Sequence, residues 1–154
     1  MKLSHLDAEG RARMVDVGDK PLSDRTATAR GVVRMSQEAY DLVASEGVPK
    51  GDVLAVAEVA GVLGAKRAGE LIPLCHPLGL DHVQVEARLD PELPGVQVTA
   101  AVRVTGRTGV EMEALTAVTV ACLTVYDMVK AVDKGMVIQD VRLVSKAKRP
   151  ASGS

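Results

Sequence analysis

Two arms of strict alternation, separated by five turn residues, constrain this chain more than any other feature. Val83, Val85, Ala87 and Leu89 alternate with Gln84, Glu86 and Arg88. After Pro91-Glu92-Leu93-Pro94-Gly95, the residues Val96, Val98, Ala100, Val102 and Val104 alternate with Gln97, Thr99, Ala101, Arg103 and Thr105. A period of two sends one set to each face of a pleated strand, so the pattern demands an antiparallel hairpin with an apolar face. Such a hairpin is marginal alone and needs helices over its apolar side.

The flanking segments supply them. Thr26 to Met35 alternates and predicts a first strand. Ser36 is placed to cap a helix over Gln37 to Glu46, closed by Gly47. Asp52 caps another, in which Val53, Val56, Ala60, Leu63 and Arg67 recur at helical spacing as far as Gly69. Thr108 with Glu111 three positions on has the capping-box form and starts a long helix that runs to about Asp133, with Gly135 beyond it. Met136 to Val144 predicts a last strand, and the basic residues from Ser145 onward a loose tail. Without the extra helix this order is βαββαβ, so the expected class is α+β: a ferredoxin-like sandwich with an antiparallel sheet and helices on one face. The uncovered face, or a helix edge, is expected to meet another subunit.

At 154 residues and 47% hydrophobic, the chain can bury one core, so one domain over 1–154 is expected, with about 1–12 and 146–154 as flexible tails. A net charge of −1 removes the broad basic field of nucleic-acid binders. Tyr40 and Tyr126 are the only aromatics, which leaves no base-stacking platform. The longest apolar run, Ala114 to Tyr126, is bounded by Glu113 and Asp127 and falls short of the ~20 residues a membrane span needs. The first seven residues hold no secretory apolar stretch, so a cytoplasmic location is expected. Cys75 and Cys122 read as reduced thiols.

Three segments can carry chemistry. In Ile72-Pro73-Leu74-Cys75-His76-Pro77-Leu78 two prolines fix an apolar loop around one imidazole. His76 reads either as a hydrogen-bonded structural histidine or as a site residue, and the rigid loop favours the second. Cys75, His76 and His82 lack the paired spacing of zinc sites, so no metal is expected. Gly106 to Glu113 places a glycine turn before a helix N-terminus, which can receive an anion. It is not a P-loop, because Ala101 and Arg107 stand where Gly and Lys are needed. Carboxylates at Glu111 and Glu113 also have an ordinary role, since they stabilise a first helical turn. At the far end, Asp127 and Lys130 share a face at i, i+3, with Lys134 a turn beyond. The pair is either a surface ion pair or an acid/base pair, and its apolar surroundings favour the latter.

Taken together, Leu71 to Leu78, Thr108 to Leu115 and Tyr126-Asp127-Met128 with Lys130-Ala131-Val132 closely resemble the molybdenum cofactor biosynthesis protein C family of cyclic pyranopterin monophosphate synthases. The resemblance runs from Met14 to Leu143 and includes Lys50-Gly51-Asp52-Val53 and Ala65-Lys66-Arg67; Val129 stands where the family often has Cys. It implies a lyase that converts 3′,8-cyclo-7,8-dihydroguanosine triphosphate to cyclic pyranopterin monophosphate and pyrophosphate. It also implies a homohexamer, a trimer of dimers with sites at the dimer interface. By matching positions, Asp127, Lys130 and Lys50 would be catalytic, and Leu74, Cys75, His76, Met112 and Glu113 would bind substrate, with Glu111 beside them. Arg25, Lys66, Arg67, Arg107 and Lys134 are the further cations expected to meet substrate. No cofactor is expected, beyond Mg²⁺ that could accompany the triphosphate. Glu113 and Asp127 lie 14 residues apart on one helix, roughly 21 Å at 1.5 Å per residue, too far for one small nucleotide. If both act on one substrate, two chains must meet around it.

Overall fold

A computed structural model describes residues 5–151. The elements are β1 (Ser23–Arg34), α1 (Gln37–Ala44), α2 (Val53–Lys66), α3 (Ala68–Leu71), β2 (His82–Asp90), β3 (Gly95–Gly106), α4 (Glu111–Val129) and β4 (Val137–Pro150). The sheet order is β2-β3-β1-β4, every neighbour antiparallel. This is the split βαβ order of the ferredoxin-like sandwich. The hairpin register puts Val83 opposite Val102, Val85 opposite Ala100 and Ala87 opposite Val98, so the two apolar sets meet on one face.

The core under the helices is almost entirely Val and Ala. Val33, Val96, Val98, Val102, Val118, Val125 and Val129 are fully buried, alongside Ala100, Ala114, Ala117 and Ala121. Small residues allow close approach. A Cβ on Gly61 would sit 3.0 Å from the Ala117 carbonyl, and one on Gly64 2.9 Å from Val120. The two helices run antiparallel, since Lys50 in the loop before α2 reaches Asp127 at the C-terminal end of α4 and Cys75 in the loop after α3 reaches Glu113 at its N-terminal end. Helix α4 is long and apolar enough to cross a membrane by length and composition. Its buried residues, from Ala114 to Val129, form part of this core instead.

Several boundaries differ from the sequence reading. Ser36 caps α1 as expected, its hydroxyl accepting from the Ala39 N–H at 3.1 Å. The helix ends at Ala44, and Glu46 takes the left-handed conformation (φ 59°), not Gly47. Asp52 caps α2 through the Ala55 N–H at 3.1 Å, yet the helix breaks at Arg67. There Gly69 abuts Pro77 of the following loop, and a Cβ would lie 2.9 Å from the Pro77 Cα. The Thr108 capping box does not form. Helix α4 begins at Glu111 itself with no side-chain cap, and the Glu111 carboxylate turns to Lys146 Nζ at 3.5 Å. It ends at Val129, short of Asp133.

The largest correction concerns the basic tail. Residues 145–150 are not loose, because β4 pairs with β1 as far as Pro150 opposite Ser23. Asp140, at φ 55°, lies in the stretch where the β1–β4 register shifts, and Val141 fits against Gly31 there. Within the other expected tail, Leu6 bridges Ala12, and Asp7 accepts from the Glu9 and Arg11 N–H groups. Residues 1–4 and 152–154 lie outside the described residues.

Candidate active site

Helix α4 carries a different chemistry at each end. At its N-terminal end, a cavity of about 680 Å³ is bounded by the loop 72–78, the first turn of α4 and β4. The sequence-predicted Leu74, Cys75, His76, Glu111, Met112 and Glu113 all line it. So do Lys146 and, from the N-terminal arm, His5, Val15, Val17 and Lys20. Sequence reading missed these five. Lys146 lies in a stretch whose charges and lack of period predict a loose tail, and the arm shows no period that would fix where it packs.

Glu113 is 2% exposed. Its Oε2 lies 3.6 Å from the Cys75 Sγ, and its Oε1 is buried without a hydrogen-bond partner among the described residues. A carboxylate out of water is costly, so burial pushes the Glu113 carboxyl above its usual range, with the Glu111 charge adding a little. Burial, then the nearby Glu113 carboxylate, push the Cys75 thiol up to about 11. A thiol that titrates there is neutral at pH 7, so Cys75 is a hydrogen-bond donor and not a nucleophile.

At the C-terminal end, Asp127 is held between two cations. Lys130 Nζ meets Oδ1 at 2.9 Å, and Lys50 Nζ meets Oδ2 at 3.2 Å. Lys50 also donates to the Asp127 carbonyl at 3.2 Å. All three side chains are more than half exposed. Lys130 first, then Lys50, hold the Asp127 carboxyl below the usual carboxylate range. The i, i+3 pair was legible in the sequence. The approach of Lys50, 77 residues away, follows from the antiparallel packing of α2 on α4.

The remaining predicted cations are dispersed. Arg25 lies in a groove of about 200 Å³ with Lys146 and Lys148, which shares Gly109, Glu111 and Lys146 with the main cavity. Its guanidinium donates to the Gly106 carbonyl at 3.2 Å. Lys66 lines a separate depression of about 460 Å³ with Asp81 and His82. Arg67 is exposed between α2 and α3, Arg107 in the turn before α4, and Lys134 in the turn after it. Among the described residues no group of three or more His, Cys, Asp or Glu side chains could hold a metal ion.

A buried carboxyl facing a nucleotide-sized cavity, with a lysine-flanked aspartate on the same helix, belongs to a ferredoxin-like enzyme that transforms a small molecule. Residues 14–149 match the model of the MoaC family. The chain is 60% identical over 144 residues to the cyclic pyranopterin monophosphate synthase of Cereibacter sphaeroides, covering 94% of this chain and 91% of the relative. It is 59% identical over 145 residues to that of Chloroflexus aggregans (94% and 88%) and 55% over 145 residues to that of Parvibaculum lavamentivorans (94% and 91%). The chain belongs to the MoaC family.

Proposed function

We propose that the chain converts 3′,8-cyclo-7,8-dihydroguanosine triphosphate to cyclic pyranopterin monophosphate and pyrophosphate, at sites that each draw on two copies of the chain. As a MoaC family member it is a lyase of molybdenum cofactor biosynthesis acting on a small molecule. The observation that carries this activity is the 60% identity to a synthase of that name over 94% of the chain. The experiment is incubation of the purified chain with the cyclic triphosphate: pyrophosphate and the pterin product should appear together, and no release of pyrophosphate would sink the reading.

The reaction turns a purine into a pterin, closes a cyclic phosphate and expels pyrophosphate, so it needs several proton transfers and stabilised phosphate charge. Asp127 and Lys130 move protons, and Lys50 beside them supports the developing phosphate charge. Leu74, Cys75 and His76 with Glu111, Met112 and Glu113 hold the heterocycle. Arg25, Lys66, Arg67, Arg107 and Lys134 are candidate phosphate ligands. No protein-held cofactor enters the scheme, and Mg²⁺ would arrive on the triphosphate.

The roughly 21 Å between Glu113 and Asp127 supports the shared site. So does the apolar surface left open by Val56, Val59 and Leu63 on α2 and Leu123 on α4, the last three of them half or more exposed. Glu113 and its cavity then come from one subunit and Asp127 with its lysines from the neighbour, within a trimer of dimers in the cytoplasm. Mixing Asp127→Asn with Glu113→Gln subunits tests it. Random reassociation should restore about a quarter of the wild-type activity, since half the dimers are mixed and one of their two sites is intact. No restoration would place both groups in one chain's site.

A further inference from the structure

The C-terminal end of α4 has no stop signal of its own. The helix ends at Val129 with Lys130 as its C-cap, and no glycine follows until Gly135. Val129 and Met136 are buried, whereas residues 130–135 between them lie at the surface, where helix ends fray. The ion pair of Lys130 with Asp127 is exposed on both sides and too weak to fix the backbone that carries it. The turn is held from outside instead. Asp133 is half-buried, and each of its carboxylate oxygens accepts a backbone N–H, Oδ2 from Ser36 at 2.7 Å and Oδ1 from Gly135 at 2.8 Å. We propose that Asp133 is a positioning residue for the reaction: by tying the turn after α4 to the start of α1, it keeps Lys130 seated on Asp127.

The inference rests on the reading of Asp127 and Lys130 as the groups that move protons, and it adds the residue that orients them. Ser36, the N-cap of α1, is 97 positions from Asp133, and Met35 before it donates to the Pro94 carbonyl of the β2–β3 turn at 2.9 Å. The anchor is therefore part of the sheet's own framework and not another surface loop. Carboxylate acceptors make the stronger class of hydrogen bond, and this one spans both sides of Lys134. On the helix side the Tyr126 hydroxyl donates to the Lys134 carbonyl at 3.2 Å, which closes the turn back onto α4. Asp133 itself bonds backbone only, so its effect on Lys130 runs through the chain. A displacement of about 1 Å at a proton-transferring group is enough to cost on the order of 10²-fold in rate.

The experiment is a double-mutant cycle: kcat and KM on the cyclic triphosphate for the wild-type enzyme, Asp133→Ala, Lys130→Ala and the double variant. Asp133→Ala should lower kcat on the order of 10²-fold and move KM much less. In the Lys130→Ala background the same change should cost no more than about twofold, because the lysine it positions is gone. A full second loss there would mean that Asp133 acts on the structure at large, and an unchanged kcat in Asp133→Ala that it positions nothing; either overturns the proposal and leaves the proton-transfer reading standing. Turnover kept in Lys130→Ala, or an inactive wild type, overturns that reading first and the proposal with it. If Asp133→Ala fails to fold, Ser36 decides. Its φ of −67° suits proline, so Ser36→Pro removes the N–H that Asp133 accepts while Ser36→Ala keeps it, and both lose the hydroxyl cap of α1. Proline should lose the turnover that alanine keeps, and equal kcat in the two would overturn the proposal.

Discussion

The two ends of α4 are built on opposite electrostatic plans. At the N-terminal end a single carboxyl is buried, one oxygen on a thiol and the other without a hydrogen-bond partner among the described residues, and burial raises its titration. At the C-terminal end an exposed carboxyl is gripped by two lysines, and its proton is held loosely. The difference teaches that carboxylates on one helix can be set to different tasks by solvent and neighbours alone. The first is a buried acceptor lining a cavity, and the second is an exposed carboxylate kept ionised by two cations.

The largest effect expected from breaking this contrast is at the exposed end. Lys130→Ala should lower turnover on the order of 10²–10⁴-fold, the range of general acid–base groups, with a much smaller change in the substrate dissociation constant. A large rise in that constant with turnover kept would make Lys130 a binding residue.

The middle of α4 holds the ends in place, and Gly61→Val tests it. The new side chain would press on the Ala117 carbonyl and Val85, so unfolding by urea should show a loss of about 1–3 kcal/mol. Unchanged stability would mean α2 can slide on α4, and Lys50 would then not be fixed beside Asp127.

The ends should also differ in the sign of their pH dependence. Glu113 titrates higher folded than unfolded, so its contribution is full below the ordinary carboxylate range and is lost as pH rises through the raised folded value. Glu113→Gln should therefore flatten that decline and raise the thermal midpoint at neutral pH relative to wild type. Asp127 runs the other way, since its depressed value gives stability present above the ordinary range and lost as pH falls through the folded value. Asp127→Asn should remove that small acid-side loss and leave the neutral midpoint nearly unchanged, because the group is exposed. Equal pH profiles for the two variants would erase the contrast.

The smallest effect belongs to Lys146→Ala. Its contact with Glu111 is long and mostly exposed, so the change in stability should stay within about 1 kcal/mol. A larger loss would show that β4 is held to α4 by charge and not only by its ladder to β1.

Most of the fold was legible because its signals are local. The hairpin follows from period-two alternation, and α1 and α2 start where Ser36 and Asp52 offer a short polar side chain to a free N–H. The failures share a cause: competition from outside the segment. Glu111 abandoned the capping box for Lys146, and packing of Pro77 on Gly69 accompanies the break at Arg67. The far half of β4 was illegible because Ser145 to Pro150 are exposed on both faces and show no period, as suits a charged edge strand. Its order comes from pairing with β1, which no window of the sequence contains.

The candidate site divides in the same way. Asp127 with Lys130, and the loop of Leu74 to His76, were visible as spacing and rigidity within a few residues. The sequence by itself determined the hairpin, the starts of α1 and α2 and the residue types placed at each end of α4, since these depend on backbone period and local residue type. Only the tertiary structure decided that Cys75 meets Glu113, that Lys50 completes the Asp127 cluster and that Lys146 walls the cavity. Those contacts join residues 38, 77 and 35 positions apart, and they are set by how helices and strands lie against one another.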